Sequence, residues 1–333
     1  MLDRLDRKRV TDFMLNNAIV FLLIAISIAV GFLRPAFFSE ANFRNLINNT
    51  AIRFIIALGV SGCLIAKGPD LSAGRSVGLA ACLAATFLQR MDFGSKVYPE
   101  LGDLPIFLVM LGVVLITMIF GMINGVVVAY LKVPPFIATL GMMTILYGIN
   151  LVFTGAQPIG GLRQDYLDVV NGEVLNLTFL PYLGFYALAI GAVIWFLYNK
   201  TSHGKYMYAI GGNENAAEVN GINTKRTKII IFAIAGVLYG IAGFLLGARA
   251  GGASVGLGFG WELEAIAACT IGGVSTNGGV GRVTGILIGV LVFELLKIAM
   301  QFMGVEPSYT FIVQGLVIVM AVAVDMRKHL ARK

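Results

Sequence analysis

The chain reads as an all-α membrane protein: a polytopic helical bundle of about ten transmembrane segments, some discontinuous, with both termini in the cytosol. Three observations carry that reading. Hydrophobic residues make up 58% of the 333 positions and charged residues only 13%, against about a quarter charged in ordinary soluble domains. The apolar residues fall into long runs, each near the roughly 20 residues that cross a bilayer core. Lys and Arg gather beside those runs, so the net charge of +7 reflects the positive-inside bias and gives no reason to expect a nucleic-acid partner.

Taken in order, the first element is a basic arm, residues 1–17, with Arg4, Arg7, Lys8 and Arg9 ahead of the run Ala18 to Leu33. Its layout resembles a signal peptide, but the run is long for one and "RPAFFSE" offers no small-x-small cleavage site, so a retained first span is expected. Further windows fall near 51–66, 71–90, 105–130, 136–153, 180–198, 229–247, 263–273, 283–303 and 309–324. Polar or Gly/Pro-rich stretches such as "LKVPPF" separate them. The window 263–273 is too short to span.

Orientation follows from the cations. Four sit in the arm and five in residues 199–228 (Lys200, Lys205, Lys225, Arg226, Lys228). Four more close the tail 325–333 (Arg327, Lys328, Arg332, Lys333). All three regions are expected in the cytosol. Six windows separate the first two regions and four separate the last two, both even numbers, so charge and hydropathy agree. The loop 154–179 then falls outside.

Glycine is abundant, 41 residues, and recurs as Gly121/Gly125, Gly236/Gly240, Gly243/Gly247 and Gly285/Gly289. This spacing lets helix backbones approach closely in lipid, and packing within one chain is the expected use. Cys63, Cys82 and Cys269 lie in apolar runs without CxxC spacing and read as small packing residues. With both histidines, His203 and His329, in basic segments, no histidine-based catalytic site and no metal site are expected. Glu294 and Lys297, three residues apart, read as an internal ion pair.

The most polar stretch is "AIGGNENAAEVNGINTKRTK", residues 209–228. Asn213 suits an N-cap, Glu214 the first turn of a short helix and Gly221 its C′ position. A two-turn helix is marginal alone, so docking must order it, with Ala216, Ala217 and Val219 as the contact surface.

At this stretch the chain resembles the permease subunits of ABC importers. "NAAEVNG" is similar to the A-A-x-x-x-G core of the loop that docks on the ATPase, and "HGKYMYAIGGNENAAEVNGI" resembles the form in sugar permeases of the ribose/xylose/galactose class. "GPDLSAGRSVGLAA", "GMINGVVVAYLKVPPFIATLGMM" and "ELEAIAACTIGGVSTNGGVG" match further blocks of that class in the expected order, from about residue 40 to 325. The wording of several blocks looks most like the galactose/methyl-galactoside branch. No G-x-x-x-x-G-K-[ST] phosphate loop is present.

The resemblance implies one permease domain, 1–333, in a bacterial inner membrane. It implies a homodimer with a second copy, a cytosolic ABC ATPase that carries ATP and Mg, and an extracytoplasmic sugar-binding protein. The chain itself would hold no cofactor and catalyse nothing. Asn213, Glu214, Asn215, Ala216, Ala217, Glu218 and Gly221 would couple to the ATPase. Two interruptions, "KGPDLSAG" within 62–78 and "GGVSTNGGVGRVTG" within 272–285, mark the expected translocation route, with Asp70, Leu71, Ser72, Gly74, Asn124, Gly272, Gly273 and Ser275 as candidates. Asp70 also fits a plain cap on a helix beginning at Leu71, and Asn124 an interhelical hydrogen bond. The route is rich in Gly, Ser and Thr with few aromatic faces, so selection is expected mainly in the binding protein. Its docking surface is expected in 154–179 and 248–264, with Arg163, Asp165, Asp168, Trp261 and Glu262. The rival within the class is a permease for ribose, another pentose, nucleosides or branched-chain amino acids, and the rival from another class is an ion-coupled secondary transporter.

Overall fold

The computed structural model describes residues 18–176 and 180–330; the expected arm 1–17 and the last tail residues, 331–333, lie outside the described residues. Every extended helix in the described chain is α-helical, and strand-like pairing is limited to isolated bridges. The helices are α1 (Ala18–Leu33), α2 (Glu40–Ile65), α3 (Ala73–Phe87), α4 (Ile106–Ala129), α5 (Pro135–Thr154), α6 (Gln164–Asp168), α7 (Tyr182–Lys200), α8 (Ser202–Gly212), α9 (Glu214–Val219), α10 (Thr224–Ala250), α11 (Trp261–Ile271), α12 (Val283–Phe302) and α13 (Pro307–Leu330). Ten of them coincide with the ten apolar windows. Six, namely α2, α4, α5, α7, α10 and α12, are long and apolar enough to cross a membrane.

α2 starts eleven residues before its window, because polar side chains in its first half conceal it from hydropathy. The Ser39 hydroxyl caps it by accepting from Asn42 N, Arg44 pairs with Glu173 at 2.6 Å, and Asn45 accepts from Arg249 at 3.0 Å. Each of these groups finds a partner inside the protein, so the helix can carry them.

α10 forms the centre of the bundle, packed on α2, α3 and α4. Its glycines make that possible. A Cβ on Gly236 would meet the carbonyl oxygen of Thr117 in α4, and one on Gly121 would meet that of Phe232 in α10. Gly243 lies against α3, and Gly285 and Gly289 lie against the α11 backbone at Gly272 and Ala268. All four glycine pairs are therefore engaged within the chain, as expected, which leaves none of them free to be the sole basis of a contact between copies.

The connections gather at two ends. At the upper end, loops 88–105, 155–176 and 251–253 bond to one another through Arg90 N to Gly161 O (2.8 Å), Arg163 N to Leu88 O (2.9 Å) and Ala253 N to Ile159 O (2.9 Å). At the lower end the two interruptions meet: the Gly279 amide donates to Ile65 O at 2.8 Å. The breaks span 66–72 and 272–282, shorter than the sequence suggests.

A third irregular segment, 254–260, descends from the upper end into the bundle. Its carbonyls at Leu257 and Gly258 lie against Gly78 and Gly74 of α3, where any Cβ would collide. Because of this descent α11 begins at mid-depth, with the Trp261 ring centroid 4.3 Å from the guanidinium of Arg53, halfway along α2. At eleven residues α11 is only about 16 Å long.

Candidate functional site

The polar stretch folds as two short helices. α8, which the sequence did not reveal, is capped by Thr201, whose hydroxyl accepts from Gly204 N. It ends in Gly211 and Gly212, and there it touches both breaks. Gly211 is wedged against Ile65 O and Gly279 N, and Lys67 Nζ donates to Gly212 O at 3.2 Å.

α9 follows at once. Asn213 caps it, its side chain accepting from Ala216 N at 3.1 Å. Gly221 takes φ +83, its amide donating to Glu218 O and that of Ile222 to Ala217 O; this is a Schellman ending. Lys228 pairs with Glu214 at 2.6 Å, and Thr224 donates to Glu218 at 2.6 Å. One expectation needs correction. Ala217 is 4% exposed and faces its own chain, so it holds α9 in place and offers no surface to a partner. The outward residues are Val219, at 89% exposure, with Asn215 and Ala216. Behind α9 lies a cavity of about 470 Å³ lined among others by Lys67, Lys132, Lys225, Lys228, Glu214 and Glu218.

The carboxylate Asp70 is fully buried. Its Oδ1 accepts from Ser72 N (2.9 Å) and Ser72 Oγ (2.6 Å), and Asn124 donates to Ser72 Oγ at 3.0 Å. Thr139 donates to Pro69 O and accepts from Leu71 N. Oδ2 lies by the Tyr239 hydroxyl, and neither atom has a hydrogen bond of normal geometry. α3 begins at Ala73 with Ser72 at its N-cap, so Asp70 braces the break from two residues before the cap; it does not cap a helix at Leu71. Asp70, Leu71, Ser72, Gly74 and Asn124 are walled inside a single chain. Gly272 and Ser275 are half-buried and Gly273 is exposed.

A charged network crosses the bundle between α2, α11 and α12. Lys297 Nζ lies 3.1 Å from Glu294 and 2.6 Å from Glu264, and Arg53 bonds both carboxylates, with Nε 2.5 Å from Glu294. The Glu294–Lys297 pair is the one expected from spacing. Arg53 and Glu264 complete it, two cations against two anions. Nothing local to either residue announces this, since 211 positions separate them.

In the upper loops, Arg163 forks onto Asp165, lies 3.6 Å from Asp103 and donates to Leu104 O. Its hydrogen bonds hold the Asp165 carboxyl below the usual range. Asp168 accepts from Gln164 at 2.8 Å. These three residues sit together at one end. Trp261 and Glu262 do not join them: both lie at the mid-depth start of α11, and Glu262 is only 5% exposed. The descent of 254–260 removes them from an outer docking surface.

Known proteins place the chain in a group. Residues 42–322 match the family described as branched-chain amino acid transport system / permease component. The chain is 44% identical over 333 residues to the galactose/methyl galactoside import permease protein MglC of Escherichia coli, covering 99% of both chains. It is 43% identical to the protein of that name in Salmonella typhimurium over the same shares. With the ribose import permease protein RbsC of Haemophilus influenzae the identity is 37%, over 93% of this chain and 92% of that one. No solved structure gives a significant match. By the length and identity of these matches, this integral membrane protein belongs to the branched-chain amino acid transport system / permease component family.

Proposed function

We propose that this chain is the membrane-spanning permease subunit of an ATP-driven sugar importer of a bacterial inner membrane, carrying galactose, glucose or methyl galactoside. Two copies would enclose the route, an ATPase would dock below and a sugar-binding protein above. The observation that carries the coupling role is the position of α8 and α9. Gly211 and Gly212, the last residues of α8, rest on both breaks at once, so a push on α9 passes through the end of α8 to the α2–α3 and α11–α12 junctions. The full-length likeness to galactose/methyl galactoside permeases supports the substrate class.

The lower end, with Lys67, Lys132, Lys225 and Lys228 around α9, fits the cytosol. All ten matched helices would then cross or enter the bilayer, with both termini inside. A single cysteine at position 215 in a cysteine-free background should resist an impermeant thiol reagent in intact cells, and one at 165 should react. The reverse pattern would invert the map.

The functional test is reconstitution with the ATPase and binding protein of the same transporter. Labelled galactose should enter proteoliposomes only with ATP. Uptake driven by an ion gradient without the ATPase would favour a secondary transporter. Uptake of ribose in preference to galactose would favour the pentose reading that the 37% identity to a ribose permease keeps in view.

A further inference from the structure

Arg75 stands in the first turn of α3, where every residue through Thr86 is otherwise buried. Its guanidinium lies 4.4 Å from the ring centroid of Tyr147 in α5 and 4.8 Å from that of Phe259 in the descending segment. Nη1 donates to Val255 O at 2.9 Å. Tyr147 is 39% exposed and Phe259 61%. Behind them Glu262, 95% buried by the same measure, rests Oε2 against Gly74 with no hydrogen-bond partner, within electrostatic reach of Arg75. The adjoining face of α5 is open: a Cβ added to Gly141 or Gly148 would meet nothing within 4 Å, and Thr144 between them is exposed.

Depth gives this cluster its meaning. Tyr147 lies twelve residues beyond Pro135, about 18 Å along α5, and Phe259 lies two residues before the mid-depth start of α11 at Trp261. A guanidinium facing hydrocarbon at that level is costly and marks a wet cavity or a substrate route. Irregular backbone such as 254–260 is tolerated there only when buried or lining such a cavity, and transporter substrate sites sit near mid-depth at the ends of discontinuous helices.

We infer that Arg75, Tyr147 and Phe259, backed by the buried Glu262, form a transit subsite for a neutral hexose. The two exposed rings offer flat apolar faces to sugar C–H groups. The free guanidinium donors meet hydroxyl oxygens, while Glu262, buried against Gly74 behind the rings, sets a carboxyl beside the guanidinium from the protein side. A phosphate would gain from Arg75 but be repelled by Glu262, which selects for an uncharged polyol. The inference rests on the importer reading above.

The experiment measures labelled galactose uptake and ATP hydrolysis together, in proteoliposomes holding the full transporter with its binding protein. In Arg75→Gln, Tyr147→Leu and Phe259→Leu, sugar delivered per ATP hydrolysed should fall about tenfold, the scale of losing one charged hydrogen bond or an equivalent contact. Tyr147→Phe should restore most of the loss seen in Tyr147→Leu. Where Arg75→Gln fails to insert, Phe259→Leu carries the test, because that ring is largely exposed. An unchanged ratio in inserted variants, with transport and hydrolysis falling in step, would assign the cluster a structural role and overturn the inference. Competition by leucine for galactose uptake would mean a zwitterion site and overturn it too. Absence of galactose uptake by the wild-type transporter would instead defeat the importer reading itself.

Discussion

Val219 and Ala217 share one short helix yet stand at 89% and 4% exposure, which separates the effects of substituting them. Val219→Asp places a charge on the outward face, where it should remove about 2 kcal/mol or more of partner binding if Val219 is an anchor. Recovery of the ATPase on co-purification should fall while the melting temperature of the permease in detergent stays unchanged. Ala217→Arg should lower that melting temperature as well, because the side chain has no room to leave its own chain. Normal ATPase recovery in Val219→Asp would mean that α9 is solvated and idle. The pattern of cap, first turn and C′ glycine was legible because local backbone rules dictate it. Which alanine turned inward was not, since that depends on what α8 and α10 bring alongside.

The Arg53–Glu264–Glu294–Lys297 network also belongs to this scale. Removing one member of a buried set strands the others, at a cost of about 3–5 kcal/mol, whereas removing a matched pair costs much less. Lys297→Met should therefore depress the melting temperature strongly. Adding Glu294→Gln should recover much of the loss, since Arg53 and Glu264 then neutralise each other. Equal melting for wild type and Lys297→Met would show that the charges lie in water.

Among the elements, glycine spacing separates two outcomes that sequence alone treats alike. Gly236 and Gly112 both sit inside apolar helices. A Cβ on Gly236 collides with the α4 backbone at Thr117, while one on Gly112 meets nothing within 4 Å. Gly236→Leu should cost at least about 1–3 kcal/mol from overpacking and cut the yield of monodisperse protein. Gly112→Leu should leave it unchanged. Similar behaviour of the two would contradict the α4–α10 contact. Helix positions were legible here because bilayer length and apolarity set them together. The start of α2 was hidden by side chains whose partners are remote, and the descent of 254–260 was hidden because glycine-rich loops look alike wherever they lie.

For the whole molecule the open question is where selection between sugars occurs. Sequence suggested a route almost without aromatic faces, but Tyr147 and Phe259 come from segments 112 positions apart and meet only through Arg75. Such a surface grips any flat neutral ring. Strong rejection of an analogue lacking one hydroxyl requires an array of buried polar groups left unpaired by that analogue, and this face offers one guanidinium. The residues with dense hydrogen bonding lie inside the bundle, Asp70, Ser72 and Asn124 bonded in a chain and Thr139 bonded to the adjoining backbone, and are closed to a passing sugar. Selection should therefore rest with the soluble binding protein. A related binding protein of different sugar preference, fitted to dock on loops 88–105 and 155–176, should redirect uptake to its own sugar. If only hexose still enters while the foreign protein stimulates ATP hydrolysis, the membrane route selects. Tyr147 and Phe259 would then be the first positions to exchange, because their rings set the width of the face that the sugar must pass.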